Sequence, residues 1–214
     1  MVIDPKKLSS REAYNLLVSA VVPRPIAFIT SMNTHSGVNA APYSFFNAIA
    51  SAPPLVLFSS GRKNGARKHT AENILRVKEF VVNIVTETFL QSMNISSADF
   101  PPEISEIEQS NLTLAPSTII STPRIAESPV NLECVLHRHV EVGIEPVDLI
   151  IGEVVQFHIE DSLYSRGTVD QNKLRPIARM GGNYYAAIEN LFEMERHRLN
   201  KNGQGDVKDS KAGR

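Results

Sequence analysis

A chain of 214 residues, 42% hydrophobic and 21% charged, is long enough to bury a core without disulfides or a structural metal. Its formal net charge of −1 excludes a global electrostatic pull toward nucleic acid or an anionic membrane. The single cysteine, Cys134, excludes an intramolecular disulfide, and the most apolar stretches, broken by Pro23-Arg24-Pro25 and by Pro53-Pro54, supply no span of about 20 apolar residues.

The residues from Met1 to Lys7 lack the apolar core of a signal peptide, so a cytoplasmic protein is expected. Ser9 and Glu12 have capping-box spacing, and Ala13, Leu16, Leu17 and Ala20 follow at helical intervals, which predicts a helix from about Ser10 to Ala20. Pro23 and Pro25 end it. Ile26 to Thr30 reads as a short strand, Asn33 to Gly37 as turn chemistry, and the chain resumes near Val38. Ala41 to Asn47 is apolar without a clean period. After Pro53-Pro54, Leu55 to Phe58 reads as a buried strand.

Thr70 is predicted to cap a helix through Lys78, with Ile74 and Val77 on its inner face. Phe80 to Val85 is a strand, and Thr86 is predicted to cap a helix to about Met93. Asp99 to Pro129, rich in Pro, Ser, Glu and Thr, reads as a surface excursion with a short helix near Ile104 to Ser110. Two long strands follow. On the first, Leu132, Cys134, Leu136, Val140 and Val142 share the core parity, and Glu133, His137, His139 and Glu141 share the other face. Arg138 breaks the apolar set. The second runs from Leu149 to Ile159, with a bulge suggested at Gly152. A last helix is expected near Ile188 to His197. Residues 1–199 are read as one domain, and Asn200 to Arg214 as a disordered tail. Strands that do not alternate with long helices argue for a barrel or sandwich over a doubly wound sheet.

The strongest local signal is basic. Arg62 to His69 holds four Lys or Arg, one His and no acid, and leads into the helix at Thr70. A helix N-terminus carries unpaired N–H groups and positive partial charge, so Arg62, Lys68 and the Thr70 hydroxyl make a candidate phosphate cradle; a solvated basic loop is the alternative. Neither dinucleotide nor P-loop glycine spacing is present. His137 and His139, with Glu141, could reach one metal ion. No fourth ligand or second shell can be named, so a polar strand face at solvent or at a subunit interface is the favoured reading, and no metal is assigned. Cys134 reads as a core residue. No nucleophile elbow or catalytic triad stands out. Arg179-Met180-Gly181-Gly182 is a tight turn that could admit a ligand or be a turn alone.

Taken in order, the segments Val22 to Ser31, Asn39 to Asn47, Pro53 to Ser59, Lys68-His69-Thr70 with Asn73-Ile74, Glu79 to Asn83, Ser128 to Cys134, Ile151 to Val155, and Arg179 to Gly182 with Tyr184 or Tyr185 resemble the flavin reductase-like family of FMN-binding split-barrel proteins. The resemblance implies a mainly β fold, an antiparallel six-stranded split barrel with short flanking helices, and a homodimer with noncovalent FMN in a groove near the interface. It implies hydride transfer from NADH or NADPH to the flavin, and a monooxygenase or redox-protein partner. A non-enzymatic FMN-binding electron carrier is the alternative. It places the phosphate at Arg62, Lys68 and Thr70 with Ser59 nearby, and the flavin ring at Thr30, Ser31, Ala41 and Ser44 to Asn47, with Arg179 at the closing turn. His69 stands where the family often has Asp. With no catalytic acid or base legible, the cofactor is expected to supply the chemistry and the protein to position it.

Overall fold

The computed structural model describes residues 1–34, 37–98, 100–101 and 104–195. Helix α1 is Ser10–Ala20, with both halves of the Ser9–Glu12 capping box formed. The main sheet contains β1 (Ala27–Met32), β2 (Val38–Tyr43), β3 (Phe46–Ser51), β4 (Pro54–Ser60), β5 (Glu79–Ile84), β6 (Val130–Val142) and β7 (Val147–Ile159). Its order is β2-β1-β5-β6-β7-β4-β3, and every neighbouring pair is antiparallel. The two edge strands, β2 and β3, are consecutive in the chain and joined only by Ser44 and Phe45. A sheet whose outer edges are tied by two residues must roll until the edges meet, and the Ser59 N–H donates to the Phe45 carbonyl at 2.9 Å, which carries the β3–β4 ladder up to that link. The result is a rolled, split barrel.

Among the described residues this sheet has seven strands rather than six. The extra one is β3, whose residues are almost all exposed. An edge strand with one partner and no buried face leaves no alternating pattern to read. The break that separates it from β2 falls at Ser44, inside the apolar stretch that lacked a period.

Barrel strands bury both faces. Ala27 and Ile29 point inward with Tyr43, Phe58, Phe80, Cys134 and Ile150, while Ile26 and Phe28 join an outer cluster with Val85, Phe89, Met93, Ile107 and Ile125. Phe58 is the hinge of the inner aromatic set, 4.8 Å from Tyr43 and 5.7 Å from Phe80 between ring centroids. The register of β6 and β7 shifts between Ile151 and Gly152, which leaves His137 as the extra residue on β6, and again between Val154 and Gln156. The first shift breaks the single parity expected from Leu132 to Val142, and Val142 is exposed.

Gly152 is required by packing. A Cβ there would lie 2.3 Å from Phe80 Cζ and 3.2 Å from Cys134 Cβ. Gly152→Ala is therefore expected to cost about 1–3 kcal/mol by overpacking, read as a lower urea midpoint at unchanged slope.

Helix α2 is His69–Val77, buried through Thr70, Ala71, Asn73 and Ile74. Thr70 is not its cap: the N-cap is Lys68, without a side-chain bond, and the Thr70 hydroxyl lies in the first turn, 2.9 Å from the Asn39 amide. Thr86 does hold the N-cap position expected of it, but like Lys68 it makes no side-chain cap bond. A 3-10 turn at Glu87–Phe89 leads into α3 (Leu90–Ile95). The excursion carries a four-residue helix, α4 (Glu106–Gln109), capped by Ser105. Arg24–Pro25, Ile177–Arg179 and Tyr185–Ala187 form a small outer sheet. The helix expected near Ile188 is absent among the described residues. Glu189 to Glu195 lie exposed, and a helix that short has nothing to bury its apolar face against. Residues 196–214, including the expected tail, lie outside the described residues.

Candidate flavin groove

The N-terminus of α2, the basic loop, strand β2 and the start of the excursion surround a cavity of about 610 Å³. Lys68, His69 and Thr70 line one side, Ala41 and Tyr43 the floor, Ser97 and Phe100 the other side. A second cavity of about 920 Å³ continues from it, lined by Tyr14, Ser44, Asn94, Arg179 and Tyr185 among others. Pro42 and Ser97 line both. A third, smaller recess at Arg24, Ser44 and Asn47 adjoins the second through Ser44. Together they form one groove running along β2 past the barrel seam. One end is basic, and the other carries Tyr14, Arg179 and Tyr185.

The sequence-predicted residues divide between this groove and the frame behind it. Ala41, Lys68 and Thr70 line the basic half, Ser44 and Arg179 the second cavity, and Asn47 the recess. The Arg179 guanidinium sits 4.4 Å over the Tyr185 ring and donates to the Gly182 carbonyl at 2.7 Å. Thr30 and Ser31 are fully buried in the sheet: the Thr30 hydroxyl donates to the Pro123 carbonyl at 2.7 Å, and Ser31 accepts from Asn73 at 3.3 Å. Ser59 pairs with Leu149 in the ladder. Arg62 lines none of the three cavities.

Arg62 is committed elsewhere. It reaches Glu141 at 2.7 Å and Asp148 at 3.2 Å. Arg67 bonds Asp148 at 3.0 Å and also pairs with Glu141, and His139 Nε2 lies 2.8 Å from the same Asp148 oxygen. Burial by itself pushes the Asp148 carboxyl up. Hydrogen bonds from Arg62, Arg67 and His139 more than offset that and hold it at about 2. His139, Glu141 and Asp148 place ligand atoms within 4.8 Å of one another. Those acceptors already receive two guanidinium groups, so a dication would have to displace both. His137 lies apart, facing Glu153 at 3.7 Å, because the bulge at His137 separates it from His139. Asp148, Arg67, Asn39 and Glu106 escaped the sequence reading. The one available signal was Asp148 itself, an acid on the inward parity of Ile150 and Val154, one residue before the expected start of its strand.

The Glu133 carboxylate, expected on an open polar face, is fully buried. It accepts from three consecutive backbone N–H groups, Thr118 at 2.6 Å, Ile119 at 2.8 Å and Ile120 at 3.1 Å, and pairs with His158. Burial pushes it up, but His158 and the three amides hold it at about 2. It anchors the returning arm of the excursion to the barrel.

Comparison with known proteins settles the family. The model of the flavin reductase like domain matches residues 19–177. The chain belongs to the flavin reductase-like family. Among relatives of this flavin reductase-like chain, a protein of Halalkalibacterium halodurans is 42% identical over 94% of this chain and 99% of its own, and YwrF of Bacillus subtilis is 38% identical over 89% and 96%. Nitrilotriacetate monooxygenase component B from Bacillus cereus superposes with a TM-score of 0.87 at 41% identity, covering 91% of this chain and 98% of that one. The 2-nitrobenzoate 2-nitroreductase NbaA of Pseudomonas fluorescens does so at 0.84 and 32% identity, covering 92% and 96%. The matched region contains β1 to β7 and so the whole basic half of the groove. No described helix of this flavin reductase-like chain is long and apolar enough to cross a membrane.

Proposed function

We propose that this flavin reductase-like protein binds FMN noncovalently in the groove along β2 and catalyses hydride transfer to it from NADH or NADPH. The observation that carries the reading is the uncapped N-terminus of α2 at the basic end of the groove. Lys68 supplies no side-chain cap, so the first-turn N–H groups are left for an anion, and Lys68 itself lines the same cavity. That arrangement fits the terminal phosphate of FMN. Arg62 does not fit that role, because its guanidinium is held in ion pairs; it instead steadies the basic loop with Arg67. Ala41, Ser44, Asn47 and Arg179 suit the ring end, while Thr30, Ser31 and Ser59 hold the strands behind it.

When bound, the flavin supplies two-electron chemistry, accepting a hydride from a reduced pyridine nucleotide. The chain's part is to orient the ring along β2, anchor the phosphate and present backbone N–H groups and hydroxyls to charge that develops on reduction. No side chain is assigned as acid or base. The buried Cys134 thiol is pushed up by burial and is no nucleophile.

An apolar face borders the groove. Leu16, Leu17 and Val21 from the α1 region, and Phe45 and Ile49 from the seam and β3, are exposed, and Tyr14 stacks on Phe45 at 6.4 Å. This face suits a second copy of the chain, which would wall the recess at Asn47. The similarity to a monooxygenase component B and to a nitroreductase supports two electron acceptors, reduced flavin delivered to an oxygenase or a nitroaromatic substrate.

The purified protein is expected to take up FMN with flavin absorption bands and to be bleached anaerobically by NADH or NADPH in stopped flow. A colourless protein that ignores added FMN rejects the reading; a yellow protein that neither nucleotide reduces leaves an electron carrier. Lys68→Ala is expected to weaken FMN by about 10–100-fold, the scale of a charge-assisted hydrogen bond, and riboflavin little. Equal losses for both flavins would move the phosphate elsewhere.

A further inference from the structure

Among the described residues, four buried side-chain oxygens lack a hydrogen-bond partner, and two of them, Tyr43 Oη and Glu106 Oε2, belong to residues that line the basic half of the groove. Both residues are only 7% exposed. They come from different parts of the fold. Tyr43 ends β2 on the inward face, and Glu106 opens α4, so the excursion delivers a carboxyl to a groove otherwise built from the barrel and α2.

The rest of that floor is satisfied. With its amide turned to meet both neighbours, Asn39 donates to Glu106 Oε1 at 3.1 Å and accepts from the Thr70 hydroxyl at 2.9 Å. The Thr70 and Ser60 hydroxyls lie near enough to Tyr43 Oη to interact with it but form no well-aligned hydrogen bond, so Glu106 Oε2 is the oxygen with the clearer need of a donor. Burial pushes the Glu106 carboxyl up, against its own N–H, that of Ala40 and the charge of His69. An unpaired oxygen at such a place is destabilising in the free protein. Its cost is recovered when a donor arrives. The terminal torsion of a glutamate is broad and roughly two-fold, so a small turn presents either oxygen to the groove.

We propose that Glu106, backed by Tyr43, is a specificity-determining residue that accepts a hydrogen bond from a hydroxyl of the ligand's sugar-like chain. The inference rests on the flavin reading above. The chemistry is that of a polyhydroxylated carbon chain near a phosphate, which the ribityl chain of FMN or the ribose of the pyridine nucleotide would supply. An apolar ligand gains nothing from these oxygens, so the pair discriminates by hydroxyls, as buried polar groups built for a partner do.

The test compares Glu106→Ala, Glu106→Gln and Tyr43→Phe with the natural protein, each checked for retained fold by circular dichroism and thermal melting. Affinities are measured for FMN, riboflavin and lumiflavin, which keeps the ring but lacks the hydroxyl chain. Kinetics give the KM for the reduced nucleotide. Glu106→Ala is expected to lose about 10-fold or more in affinity for FMN and riboflavin alike, with lumiflavin unchanged. Glu106→Gln, which keeps a carbonyl acceptor, should recover most of that, and Tyr43→Phe should show the same selectivity more weakly. Unchanged flavin affinities with a raised nucleotide KM assign the hydroxyl to the ribose and also support the proposal. Equal losses for riboflavin and lumiflavin, a loss for FMN but not riboflavin, or no change in any flavin affinity or in KM would overturn it. Failure of the natural protein to bind FMN at all is a different result, and rejects the flavin reading itself.

Discussion

Glu133→Ala is expected to lower the stability of the fold by about 3–5 kcal/mol, the scale seen when one partner of a buried charge pair is removed. The carboxylate is fully buried and is the shared acceptor for three consecutive amides and His158. Without it, all four donors must turn to water or stay unpaired, and the segment around Thr118 to Ile120 loses its tie to β6. Glu133→Gln is a sharper variant. Its amide keeps one carbonyl acceptor but turns an NH₂ group toward N–H donors, so it should recover little.

The same group predicts an acid limb. Its folded value of about 2 lies below the ordinary 4.5. Between those values the unfolded chain binds the proton and the folded chain does not, so stability rises with pH across that window. The contribution is complete above about pH 4.5 and is lost as pH falls toward 2. Urea midpoints from pH 2.5 to 7 should fall on the acid side in the natural protein. In Glu133→Ala that fall should be shallower. A variant that melts like the natural protein, with the same acid limb, would show that the excursion is held by something other than this carboxylate.

Asp148→Ala is the second large effect, expected at about 2–4 kcal/mol. It removes a fully buried carboxylate on which Arg62, Arg67 and His139 converge. The charges left behind are less sealed than those at Glu133: the Arg62 and Arg67 side chains are 16% and 32% exposed, and Glu141 still pairs with both. Partial hydration and that second acceptor reduce the cost below the upper range for buried pairs. Asp148 is also depressed, from 3.8 to about 2, so its share is present above about pH 3.8 and fades as the pH falls through about 2. Asp148→Ala should remove part of the acid limb that Glu133→Ala leaves, and the double variant should show little of it. Among the described residues the two sites share no hydrogen-bond or ion-pair partner, so their losses should be close to additive. Thermal melting of the three variants tests this, with a chain of this size expected to shift by roughly 2–4 °C per kcal/mol. A loss below about 1 kcal/mol for Asp148→Ala would mean that the two arginines are held by Glu141 alone.

Local chemistry alone located much of this molecule. Helix α1 begins and ends where its capping box and the prolines after it require, because both ends are decided by residues within one turn. The interior strands read as β because burial on both faces selects branched and aromatic side chains, as in Ala27–Met32 and Glu79–Ile84. The ordered motifs from Val22 to Gly182 were enough to name the family. The basic loop and Lys68 were visible because charge clustered in eight residues needs no partner to be noticed.

Tertiary contacts decided the rest. Strand β3 was invisible because an exposed edge carries no periodic signal. Leu16 and Leu17 lie at helical intervals, yet α1 turns them to solvent and buries Val18, since the barrel's position, which no window of α1 contains, chooses the face. Arg62 looked like a phosphate ligand until β7 set Asp148 beside it, 86 residues away in sequence. Glu133 looked solvated until the excursion folded three amides onto it. Glu106 reached the groove on a four-residue helix, expected from the sequence, but in an excursion that reads as lying over the surface. For Arg62, Glu133 and Glu106 the deciding force is a charge or hydrogen bond between distant segments, and such pairing is written only once the sheet has rolled up.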